Sequence, residues 1–123
     1  MRYLTDRKRA EGKGAGHAGT EDHWFMTVSA VALAFLVPIW MYMFGKALGQ
    51  DHATVVATFG RPFPAIVTGL LLIVGMRHFA SGATMMIEDY LRGTARKMAV
   101  IGVICLSWLT AAVGLFALVK IAL

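Results

Sequence analysis

Three apolar runs constrain this chain more than anything else in it. Trp24 to Gly45 is 22 residues without a charge, and Met98 to Val119 is another 22. Between them, Pro64 to Ile87 holds no ionisable side chain except Arg77 and His78. At roughly 1.5 Å per helical residue, 22 residues reach about 33 Å, enough to cross a hydrocarbon layer about 30 Å thick. Only 15% of the 123 residues are charged, where a soluble domain holds about a quarter. The expected fold is therefore all-α: a membrane protein of three transmembrane helices, near 24–48, 64–91 and 95–121. These helices form one domain over 24–123. Residues 1–23 form a polar, cytoplasmic tail.

The tail is glycine-rich from Glu11 to Gly19 and has no means of building its own core. It is either a flexible arm or a segment that orders against a soluble partner. The first apolar run begins only near Trp24 and is too long for the h-region of a cleavable signal. The single cysteine, Cys105, lies inside the third run and reads as a packing residue, so no internal disulfide or cysteine-based metal site forms.

The formal charge of +5 does not point to nucleic acid, because no soluble basic face exists to hold a duplex. The basic residues read as topology signals instead. Arg2, Arg7, Lys8, Arg9, Lys13, Arg92, Arg96 and Lys97 lie on one side of the membrane, and only Lys46, Arg61 and Lys120 lie on the other. The positive-inside rule then puts the N-terminus and the 88–97 turn in the cytoplasm. Trp24, Phe25, Trp40 and Tyr42 suit interfacial belts, and Pro38 removes one backbone donor from the first helix. Residues 49–63 read as a connection. Pro64 reads as the start of the second helix, Gly93 as its stop and Thr94 as the next cap.

The second apolar run carries the chemistry. An ionisable side chain in hydrocarbon is expensive, and by default marks a functional site. At about 100° per residue, Gly75 lies about 60° from His78, Gly82 about 40°, and Met85 and Asp89 about 20°. Small residues thus flank the histidine on its own face, where they allow close approach of a helix or of a flat macrocycle. Two readings follow: a hydrogen-bonded histidine in a helix contact, or a neutral imidazole ligating haem iron. His17, His23 and His52 lie outside the spans, so the second ligand of a haem site is either one of the eight methionines or, as so few helices favour, a histidine from a second membrane chain. Arg77 requires a partner, either a contact on a neighbouring helix or a haem propionate. Glu88, Asp89 and Tyr90 stand about 15–18 Å further along the axis. There the Tyr90 phenol can donate to a carbonyl oxygen such as a quinone's, with Asp89 orienting it or passing protons. Glu88 is either solvated or in a weak i+4 pair with Arg92.

The pattern His78-x-x-x-Gly82-x-x-x-x-Ile87-Glu88-Asp89-Tyr90, within three spans behind a short polar tail, resembles the smaller hydrophobic membrane-anchor subunit of succinate dehydrogenase, complex II. The resemblance implies that His78 is one axial ligand of haem b, with the larger cytochrome b anchor subunit supplying the other. It implies that Tyr90, with Asp89 beside it, contacts ubiquinone. The two anchors would hold the iron–sulfur and flavoprotein subunits at the membrane, so that the chain is a non-flavin part of an enzyme and inactive alone. His23-Trp24 matches the family's histidine–aromatic pair at the start of the first span. The arginine that commonly follows is absent; Met26, Thr27, Val28 and Ser29 stand there instead. The tail lacks the look of a mitochondrial transit peptide, which favours a bacterial inner membrane. Two further readings stay open: a small proton-coupled transporter or assembly factor with Arg77, His78 and Asp89 as a relay, and the anchor of a quinol:fumarate reductase.

Overall fold

The computed structural model describes residues 19–123. It contains four helices: α1 (Gly19–Ala47), α2 (His52–Phe59), α3 (Pro62–Tyr90) and α4 (Gly93–Ala122). No strand occurs among the described residues. The three long helices have the length and apolarity to cross a membrane. Hydrocarbon offers backbone groups no partner, so a chain this apolar bonds its backbone within helices.

Each long helix outruns its charge-free run. α1 begins at Gly19 with Glu21 and Asp22 in its first turn, where carboxylates meet the positive end of the helix dipole, and carries Lys46 in its last. Residues 19–23, read as the end of the polar tail, are thus the first turn of α1, and the rest of that tail, 1–18, lies outside the described residues. α3 starts at Pro62, two residues before Pro64, because a first-turn position has no use for the missing N–H. α3 ends at Tyr90, and Leu91 and Arg92 are extended. Gly93 then takes φ 64°, a left-handed conformation that glycine adopts without cost. It is the first residue of α4 rather than a stop, and Arg92, not Thr94, occupies the cap position.

The stretch read as a connection holds a helix of its own, the eight-residue α2. The Thr54 hydroxyl, followed by nearby backbone N–H groups, holds the exposed Asp51 carboxyl ahead of α2 below its ordinary range. α2 then closes against the end of α4. A Cβ on Gly60 would come within 3.0 Å of the Ile121 carbonyl oxygen and 3.2 Å of that of Val56. Both are backbone atoms with nowhere to go. Gly60→Ala should therefore destabilise the solubilised protein by about 1–3 kcal/mol. Gly114→Ala should cost less, although its Cβ meets Leu72 Cδ1 at 2.9 Å, because a leucine tip can rotate. Thermal melts of the two variants in one detergent check the order; equal losses would contradict it.

α3 is the middle of the bundle. α1 packs on one side of it and α4 on the other, and α1 and α4 barely meet. The buried residues are small: Val67 and Ala80 on α3, Ser29 and Ala47 on α1, Ser107 and Ala111 on α4. Large side chains face outward instead, Phe35 at 69% exposure and Phe116 at 72%. Three helices bury little of one another, so their outer faces are left for lipid or further helices. Toward the C-terminal end of α1, Trp40 is half-buried rather than a free belt residue. Its Nε1–H donates to Thr68 Oγ1 at 3.2 Å and its ring stacks on Phe44 at 4.9 Å.

Candidate functional site

The geometry is set by α1 running antiparallel to α3. Ser29 lies ten residues into α1 and His78 twelve residues before the end of α3, so the two meet at one depth. The Ser29 hydroxyl oxygen stands 2.7 Å from His78 Nδ1. Ser29 is buried, at 3% exposure, while His78 is half-buried. No hydrogen bond to Nε2 occurs among the described residues. One ring nitrogen is thus held inside the chain, and the other is open to something outside it.

The flanking glycines serve this same contact. A Cβ on Gly75 would meet Leu33 Cδ2 at 3.8 Å, and one on Gly82 would meet Met26 Cε at 3.7 Å. Both therefore lie in the α1–α3 packing, and both leave ordinary contact distances rather than a gap. His23 is exposed, six residues or about 9 Å nearer the start of α1 than Ser29. His52 is exposed at the start of α2, on the opposite side of the membrane from His23. No cluster of three metal-ligating side chains exists among the described residues. Among the described residues, His78 is the one histidine at this depth.

Arg77 finds partners inside the chain. Its guanidinium donates to Ser81 Oγ one turn along α3 and lies over the Phe25 ring, 4.6 Å from the centroid. A cation on an aromatic face retains attraction where water is scarce. Arg77 also floors an open cleft of about 490 Å³ between α1 and α4, together with Ser81, Thr84 and Glu88 of α3, Asp22 of α1 and Trp108 of α4. His78 is not in its lining.

The acid–acid–tyrosine end of α3 is a surface. Tyr90 is the helix's last residue, at 82% exposure, and Asp89 beside it is exposed as well. Glu88 pairs with Arg96 across the turn at 3.7 Å, not with Arg92 at i+4, because the helix stops before Arg92. Both partners are half exposed, so this contact contributes little, about 0–1 kcal/mol.

Sequence reasoning missed Ser29. A serine in a membrane helix usually back-bonds to its own turn and reads as filler. The depth match between Ser29 and His78, countable once the helices are taken as antiparallel, was the available signal.

Residues 1–119 match the model of the succinate dehydrogenase/fumarate reductase transmembrane subunit family. The chain belongs to that family. It is 48% identical over all 123 residues to the succinate dehydrogenase hydrophobic membrane anchor subunit of Paracoccus denitrificans, covering 95% of that protein. No solved structure matches it. Membership supports the membrane-anchor reading over the transporter and assembly-factor readings.

Proposed function

We propose that this chain is the smaller hydrophobic anchor of a succinate:ubiquinone oxidoreductase in a bacterial inner membrane, and that His78 supplies one axial ligand to haem b. The observation that carries this is an imidazole inside a membrane span with one nitrogen bonded within the chain and the other open. Those are the requirements of a haem histidine: one nitrogen oriented by the protein, one lone pair free for iron. The haem, when bound, supplies a one-electron carrier between the two anchors. The second histidine comes from the larger cytochrome b anchor subunit, since the described part of this chain offers none at that depth.

The residues divide the work by position. His78 would hold the haem iron from α3. Gly75 and Gly82, one turn to either side of it on the same face, pack beside the haem. Arg77, exposed toward the cleft with donors beyond its Ser81 contact, faces the second anchor or a haem propionate. His23 reaches the same region from the cytoplasmic end of α1. Tyr90 projects from the end of α3, where its O–H donates to a ubiquinone carbonyl. Reduction builds negative charge on that oxygen, and a fixed donor stabilises it. Asp89 orients the phenol or relays protons. The iron–sulfur and flavoprotein subunits dock at this cytoplasmic face and deliver electrons taken from succinate. The basic residues of 1–13 and 92–97 favour this orientation.

A fumarate-reducing anchor is the second reading, favoured by the family's own scope, which spans both enzymes. The test is purification of the complex through a tag on this chain, with a subunit count and an optical spectrum. A red preparation of four subunits with a reduced haem b band is expected. A colourless preparation, or one without a flavoprotein, would overturn the reading.

A further inference from the structure

The Ser29 hydroxyl has one proton and three polar neighbours. These are the Phe25 carbonyl oxygen at 2.7 Å, the Met26 carbonyl oxygen at 3.1 Å and His78 Nδ1 at 2.7 Å. A carbonyl only accepts. If the hydroxyl proton pointed at Nδ1, the Ser29 lone pairs would face two carbonyl oxygens with no hydrogen between them. Donation to Phe25 removes that conflict, and the proton on the third contact must then come from the ring. His78 Nδ1–H donates to Ser29 Oγ. Ser29 is 3% exposed, so solvent does not offer an alternative partner.

We propose that Ser29 is the positioning residue for His78: it holds the neutral imidazole as the Nδ1–H tautomer and leaves the Nε2 lone pair pointing out of the chain. This rests on the reading of His78 as a haem ligand and adds what makes it one. The back-bond of Ser29 to its own helix turn is part of the device, because it fixes the hydroxyl's single proton and leaves an oxygen lone pair for the ring. An N–H donated to an acceptor makes the ring a stronger donor through its other nitrogen. A stronger donor favours the oxidised iron, so Ser29 holds the haem potential down.

The test uses the assembled complex with Ser29→Ala, Ser29→Thr and His78→Ala, and a redox titration of the haem b band. Ser29→Ala should raise the midpoint potential by about tenfold in the redox equilibrium, about 59 mV for one electron. Ser29→Thr should return it close to wild type, because a threonine hydroxyl makes the same back-bond. Haem loss in Ser29→Ala that Ser29→Thr restores would support the same assignment. An unmoved potential in Ser29→Ala with haem retained would overturn the role of Ser29, as would a Ser29→Thr complex indistinguishable from Ser29→Ala. His78→Ala separates the two layers. If it loses haem while Ser29→Ala changes nothing, the ligand stands and its positioning residue falls. If it keeps an unaltered band, both fall.

Discussion

His78→Ala in the assembled complex is expected to abolish or strongly displace the reduced haem b band, with at least a tenfold loss of bound haem. His78 is the one histidine deep within the described spans. His23 sits on the exposed start of α1, about 9 Å along the helix from the depth of Ser29 and His78, so no neighbour can replace the lost imidazole. The alanine also frees Ser29, whose proton already has the Phe25 carbonyl, so no polar group is orphaned on α1. The loss is therefore specific to haem rather than a general unfolding. Succinate oxidation with an artificial acceptor, which draws on the flavin and iron–sulfur subunits, should persist. A normal haem spectrum in this variant would contradict the ligation.

Tyr90→Phe should lower quinone reduction by about 10²-fold, the usual cost of removing one donor from a developing oxyanion. Tyr90 is the last residue of α3 and 82% exposed, so loss of its hydroxyl should move stability by no more than about 0.5 kcal/mol. The informative measurement is a ratio, quinone reduction against succinate oxidation with an artificial acceptor, on the same preparation. A fall in the first with the second unchanged fits a contact to quinone. Parallel losses would mean that Tyr90 holds the subunits together instead.

The spans were readable because charge is so expensive in hydrocarbon that its absence over 22 residues points to a membrane helix and little else. The same cost made His78 and Arg77 visible. What lay hidden was whatever depends on one side chain meeting another. Ser29 is one of the four residues, Met26 to Ser29, that stand where the resemblance implied an arginine, and a missing residue gives no hint of what the residues in its place bond. α2 was hidden for a different reason: eight residues carry too little periodicity to separate a helix from a connection. The Glu88 partner depended on where α3 stops. One residue of helix more or less decides whether an i+4 rule applies, and helix ends are the least readable feature of a sequence. Arg77 shows the limit of cost arguments. They demanded a partner and named a neighbouring helix or a haem propionate, but not the groups that serve within the chain, the Ser81 hydroxyl and the ring of Phe25 on α1.

Electron cryo-microscopy of the purified complex tests the central claim most directly. The expected result is a tetrapyrrole between this chain and the larger anchor, its iron on His78 Nε2, with Nδ1 facing Ser29. A His78 ring whose Nε2 is bonded to a neighbouring protein group, with no tetrapyrrole beside it, would contradict the claim.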